Sequence, residues 1–361
     1  MSHKIKLILS FILVCLVDIT ASAHDIEVVN SDGVPIYYTY YMTGYRLRVT
    51  YKGDSYNSFD NEYSGVVVIP DSVTYNGRTI EVEAIDPDAF RDCTELTSVV
   101  IPNTITSVQG FKGCTGLTSI TLPNSVTTVG GFEGCAGLTS ITLPNNVVSI
   151  DESAFAGCTG LTSIILPNSV TTIGRSAFEG CTNLTSLTIP ENVTEIGQPV
   201  CLGCSNLEII FHCKTITDGF AFCPIKAITI GEEVTTIADH AFYGCSDLTS
   251  VVIPTNVTTI ESSAFYKCSN LQTLTLSEGV TSIGQSAFED CISLTDVSIP
   301  ESVNIIESKI FKGCSSLINV TIPNSVTNIN WSAFEGCSRL NAIKIPDSVT
   351  DIGSSAFRDC I

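Results

Sequence analysis

The sequence predicts a solenoid with a parallel β-sheet along one face. Short strands, turns and 3-10 or helical pieces form the other face, and a small β cap closes the N-terminus. Three observations carry this. A cysteine returns every 23 residues, at Cys158, Cys181 and Cys204 and again at Cys245, Cys268, Cys291, Cys314, Cys337 and Cys360. Around most of them the phrase A-F-x-x-C recurs, followed by x-x-L-x-x-I/L/V-x-I/L-P. The chain is also 44% hydrophobic and only 15% charged, so it has ample apolar material for a core and is not of the disordered class. Self-similarity at a fixed period of this length means one supersecondary unit stacked many times.

Residues 1–23 read as an export segment. Lys4 and Lys6 supply the positive start, Leu7 to Val17 a short apolar run, and Ala21-Ser22-Ala23 a small-residue cleavage pattern. The apolar run is too short to span a membrane, and no later segment approaches ~20 apolar residues. Cys15 follows Val14 rather than a small residue, which argues against a lipid anchor. The expected location is therefore secreted or cell-surface.

Residues 24–79 lack the repeat and read as the β cap. Alternating runs such as Arg46-Leu47-Arg48-Val49-Thr50 and Gly65-Val66-Val67-Val68 are separated by turn signals at Asp32-Gly33, Lys52-Gly53-Asp54 and Asn76-Gly77. An atypical terminal unit covers the first core layer of a solenoid. Most of the chain's 11 tyrosines fall between Tyr37 and Tyr63; packing in edge strands and a ligand-binding surface both account for them.

Residues 80–361 carry the repeat. In Leu161–Cys181, Leu161, Ile164 and Leu166 alternate with Thr162, Ser163 and Ile165 as one strand, which Pro167 ends because it cannot donate to the ladder. Val170 and Ile173 point inward from a second extended stretch, Gly174 turns the chain, and Ala177, Phe178 and Cys181 fill the far side. The rhythm tightens to 21 residues around Cys114 and Cys135, and it breaks over 198–230. There Pro199-Val200-Cys201 replaces Ser-Ala-Phe, with Cys201 in the slot of a core phenylalanine. Phe211-His212-Cys213-Lys214 replaces the strand end, with His212 at the inward position of Ile189, and a short unit, Phe220-Ala221-Phe222-Cys223-Pro224, follows.

Export invites a disulfide reading of 16 cysteines. The spacing argues otherwise, since translated copies of one slot do not converge as a bridge requires. Cys158, Cys181, Cys204, Cys245, Cys268, Cys291, Cys314 and Cys337 are therefore expected to form a structural column of reduced thiols. Cys201, Cys213 and Cys223 are read as lying off that column, where a disulfide stays open. Cys201-x-x-Cys204 with His212-Cys213 resembles zinc-ligand spacing, but its second pair is adjacent in sequence, a poor geometry. No metal and no cofactor are expected.

The phrase Leu-Thr-Ser-Ile-x-Leu-Pro-Asn-Ser-Val-Thr-x-Ile-Gly-x-Ser-Ala-Phe-x-Gly-Cys, nearly intact at Leu161–Cys181, resembles the BspA-like class of leucine-rich repeats over roughly residues 80–361. The resemblance implies a leucine-rich-repeat solenoid, exported or surface-held, acting as an adhesin for matrix proteins, epithelial cells or other microbes. It supplies no site residues, because its motif consists of packing positions. No C-terminal sorting domain is recognised.

Chemistry narrows the function further. After residue 23 only His24, His212 and His240 remain, His240 at an outer-turn serine position, and no phosphate loop, H-E-x-x-H or G-x-S-x-G occurs. The chain is not expected to be an enzyme. A net charge of −20, from 37 acidic and 17 basic side chains, repels phosphate backbones, so nucleic acid is not an expected partner. The outward sheet positions are the candidate binding face. They begin as Thr/Ser rows at Thr118, Ser119, Thr121, Thr139, Ser140, Thr142, Thr162, Ser163, Thr185, Ser186 and Thr188. They then diversify to Lys226, Gln272, Asp296, Asn319, Asn341 and Lys344. Threonine also simply suits an exposed strand. Aromatics are scarce on this face, Phe211 being read as the exception, which argues against sugar stacking. The expected partner is a protein or glycoprotein of a host matrix, an epithelial surface or another microbe. The alternative is a self-associating structural component of a surface layer, stacking through an uncapped C-terminal end near Cys360.

Overall fold

A computed structural model describes residues 24–41, 46–53 and 62–360. The expected export segment over 1–23, and Tyr45 and Tyr56 of the tyrosine-rich stretch, lie outside the described residues.

The repeats coil as a β-solenoid. Strands from successive coils pair in parallel, in register, so that Ile141 sits beside Ile164, Ile164 beside Leu187, and Leu187 beside Ile209. An eight-stranded sheet runs from Gly65–Val68 to Ile225–Ile230, and a four-stranded sheet continues from Ser250–Ile253 to Asn319–Thr321. Two-residue strands such as Thr172–Ile173 stack as the second extended stretch. The remaining edge is turns, with a single 3-10 turn at Asp218–Phe220 among the described residues.

Register places one residue type above itself. Leu161, Ile164, Leu166, Val170, Ile173, Ala177, Phe178 and Cys181 are all buried, as are their copies in neighbouring coils. Phenylalanine shows this most plainly. Phe90, Phe111, Phe132, Phe155 and Phe178 stack nearly parallel with centroids 4.9–5.8 Å apart, and Phe242 to Phe357 repeat the arrangement. No coil can bury such a face alone, so each depends on its neighbours.

The turn beside each cysteine needs a left-handed residue. The position just before it is Gly113, Gly134, Gly157, Gly180, Gly203, Gly244, Gly313 or Gly336 in eight coils, each with positive φ, and only glycine takes this freely. Where it is not glycine the backbone stays the same: Asp92, Lys267, Asp290 and Asp359 have φ of 56–61°, and Phe222 has 63°.

At the N-terminus, Ile26–Val29, Pro35–Tyr41, Arg46–Thr50, Arg78–Ile85 and Ser72–Tyr75 form a separate five-stranded sheet. Asn76 and Gly77, both with positive φ, make the two-residue turn joining its last pair. Tyr37, Tyr38 and Tyr63 are buried, and the Tyr63 hydroxyl donates to Thr50 O at 2.9 Å. These tyrosines pack, whereas Tyr40 is exposed.

The irregular coils correct three readings. Ile189 pairs with Phe211, not with His212, because a single residue (Glu208) stands where the previous coil has Thr185-Ser186. Phe211 is therefore the inward residue, fully buried, and not an aromatic of the sheet face. Its ring meets Phe220 and Phe242 at 5.0 and 5.8 Å, returning to the core the ring absent at Cys201. His212 takes the proline slot, with its side chain 44% exposed and Nδ1 3.2 Å from Glu233. Cys223 proves to be a column member: its N–H donates to Phe220 O, as Cys181 N–H does to Phe178 O.

Candidate functional site

The cysteine column is built from a repeated hydrogen bond. In most coils the buried thiol donates to the phenylalanine carbonyl of the coil before, 3.0–3.2 Å away for Cys158, Cys181, Cys204, Cys245, Cys268, Cys291, Cys314 and Cys337. Cysteine is small enough for the turn and supplies a weak donor there. Burial holds these thiols protonated, pushing Cys158, Cys204 and Cys337 up to about 12 and raising the others as well. Such thiols are inert rather than catalytic.

Cys201, Cys213 and Cys223 are also buried free thiols. Cys213 stands in the slot of the inward valines: Thr235 N–H donates to Lys214 O just as Thr194 N–H donates to Thr171 O, which aligns Cys213 with Val234 and Val170 with Val193. Cys201 N–H points at Cys223 Sγ, 3.4 Å away. Among the described residues no cluster of three or more His, Cys, Asp or Glu is placed to hold a metal ion. The three histidines are far apart in the chain, with His24 against Lys52 O, His212 against Glu233 and His240 against Asp239.

The sheet face divides in two. Over the first coils its exposed residues are the expected Thr/Ser rows. Several of these hydroxyls are spent on the scaffold: Thr118 and Thr162 donate to the strand carbonyls of Thr97 and Thr139, both at 3.3 Å. Ile165, 82% exposed, and Val252, 62% exposed, stand at the next outward position, as Val100 does. The sequence singled out the polar residues and passed over this apolar row, although its alternation with buried Ile164 and Val251 was readable.

From Ser250 onward the chemistry changes. Gln272, Asp296, Asn319, Asn341 and Lys344 are all exposed on the C-terminal coils, and Lys226 is exposed at a bulge where Leu207 pairs with Ile225 but Glu208 with Ala227. Asn319 Nδ2 donates to Asp296 Oδ1 at 2.6 Å, and this bond, with one from Thr295, holds the Asp296 carboxyl below its usual range. Asp296 and Asn319 share a shallow groove with Thr275, Ser298 and Thr321. Lys344 lies in a second groove of about 490 Å³, with Glu278, Glu301 and Asn324 on its walls. The structure thus brings Asp296 and Asn319 together, sets Lys344 in the adjoining groove, and leaves Lys226 apart.

A one-sided, in-register β-solenoid with an open polar face is the architecture of the leucine-rich-repeat binding scaffolds. The model of the BspA type leucine rich repeat region matches residues 83–131, 129–249 and 235–361, and the chain belongs to that family. It is similar to a leucine-rich repeat protein from Bacteroides ovatus, with 28% identity over 90% of this chain and 91% of that one and a TM-score of 0.68. A leucine rich cell surface protein from Faecalibacterium prausnitzii also shares 28% identity, over 92% of this chain and 95% of that one, with a TM-score of 0.44. Among curated proteins none matches. No helix of the described residues is long and apolar enough to cross a membrane.

Proposed function

We propose that the chain is an exported or cell-surface binding protein, adhesin-like, which recognises a protein or glycoprotein of a host or another microbe through the sheet face. The observation that carries this reading is the change along that face. The C-terminal coils place varied polar and charged side chains, headed by the Asp296–Asn319 pair and Lys344, where packing demands nothing of them. Broad solenoid faces gain affinity from many such contacts. Binding rather than catalysis also fits the spread of the histidines and the inertness of the thiols.

The test is binding of the chain from His24 onward to matrix proteins, mucins, epithelial cells and co-resident bacteria across a salt series. Lys226→Glu with Lys344→Glu is expected to weaken a saturable interaction about tenfold, the effect of losing roughly 1.4 kcal/mol. An effect confined to changes among Tyr37–Tyr63 moves the site to the cap.

A second reading, a self-associating component of a surface layer, draws on the exposed Ile165 and Val252 in one row of the sheet face. Concentration-dependent association that Ile165→Thr abolishes is its expected signature.

A further inference from the structure

The turn edge opposite the thiols' carbonyl partners carries a feature that neither packing nor the sheet face uses. The residue after each core phenylalanine forms a row along this edge. At both ends of the stack the row is charged and cross-linked: Lys112 pairs with Glu133 at 2.7 Å, Lys312 with Glu289 at 3.7 Å and Arg358 with Glu335 at 3.8 Å. From Leu202 to Tyr266 the charges stop. Tyr243 and Tyr266 take the row, stacked with centroids 4.9 Å apart, and Leu202 lies exposed earlier in it.

Phe222 joins them from the glycine position of its own turn. Its ring lies across Gly244, where a Cβ would come within 2.9 Å of it, and meets Tyr243 edge-on at 5.0 Å. His240 flanks Tyr243 at 5.4 Å. Phe222 is costly twice over. A bulky aromatic residue sits at φ 63° where eight coils have glycine, and 55% of it remains exposed. The fold alone would be better served by glycine, so the ring is kept for something outside the fold.

We propose that Phe222, Tyr243 and Tyr266 form a second interaction surface, for a protein segment bearing arginine or lysine beside apolar side chains. Charge complementarity selects this partner. Asp218, Asp239, Glu261 and Asp290 belong to the same turns, against Lys267 and His240. The edge already seats cations on its rings: Lys267 Nζ lies 5.2 Å from the Tyr266 centroid, and Lys309 Nζ 4.8 Å from that of Trp331. A run of sugar rings would need a row of open aromatic faces, whereas Tyr243 and Tyr266 cover each other. This surface is independent of the sheet face and stands or falls separately.

The test uses the full chain and short synthetic peptides alternating Arg with Leu, Arg with Gly, and Glu with Leu, beside a neutral oligosaccharide. The Arg–Leu peptide is expected to bind best. Phe222→Gly, checked for an unchanged circular dichroism spectrum, is expected to weaken it about tenfold. Tyr243→Ser is the second variant should the first fail to fold, and Lys226→Ala with Lys344→Ala is expected to leave this binding intact. Equal affinity for the Arg–Leu and Arg–Gly peptides, no loss in either ring variant, or preference for the oligosaccharide overturns the proposal.

Discussion

Raising the pH should unfold this protein steeply, and the slope should count coils. Burial lifts eight thiols of the column, Cys158, Cys181, Cys204, Cys245, Cys268, Cys291, Cys314 and Cys337, far above a free thiol. Their folded pKa is raised, so the stability they lend is fully present below the unfolded pKa, about 8.5, and is lost as pH climbs from there toward about 12. In that window the unfolded chain has shed protons that the folded chain retains. Each thiol then removes about 1.4 kcal/mol per pH unit. If all eight open together the loss approaches 11 kcal/mol per unit, comparable with the whole stability of an ordinary domain at about 5–15 kcal/mol. Solenoids often open in smaller blocks, and two coils unfolding together would give about 3 kcal/mol per unit. Urea titrations under reductant at steps between pH 7.5 and 9.5, kept below tyrosine ionisation, measure the slope. Stability that is flat across pH 8.5–9.5 would refute both the buried-thiol column and its reduced state.

Two further outcomes follow from the core. Cys201→Phe restores the missing ring of the column and should overpack the coil by about 1–3 kcal/mol, because Phe211 already fills that region against Phe220 and Phe242. Adding Phe211→Ile should recover most of that loss in a double-mutant cycle, whereas additivity within about 0.5 kcal/mol would show that the two sites do not compensate. Alkylation at pH 8 should label few thiols in the native chain and most of them after denaturation; extensive native labelling would mean that the column opens locally.

The fold was legible because it is written many times over. One coil, Leu161 to Cys181, names its own inward positions by alternation, and repetition removes the ambiguity that a short strand such as Ser163–Ile165 carries alone. Legibility failed where repetition failed. Between Cys204 and Cys245 the strand loses one residue at Glu208 and the next turn loses two, so counting from the previous coil put His212 where Phe211 belongs. Only the hydrogen-bonded register, Ile189 against Phe211, reveals the slip. The thiol ladder was hidden for another reason: the spacing shows that the cysteines are equivalent, but not that each reaches the carbonyl of the coil before. The aromatic edge was missed because its members come from two different slots of the repeat and meet only where Phe222 crosses Gly244.

These irregular coils do more than interrupt a pattern. The long parallel sheet ends at Ile225–Ile230 and a new one begins at Ser250–Ile253, so the break in the sheet falls within a coil of the shortened unit. Near the same place the sheet face passes from threonine and serine to residues of varied charge, and the turn edge carries rings before its ion pairs resume at Glu289. Three properties that need not change together change near one point in the stack. A nearest-neighbour solenoid has no reason to link them through packing, since each coil answers only to the coils beside it. Each lost residue changes which side chain takes the inward place, as Phe211 does opposite Ile189. The irregular segment is therefore best understood as a joint between an N-terminal half with uniform threonine and serine rows and a C-terminal half whose exposed faces are more varied.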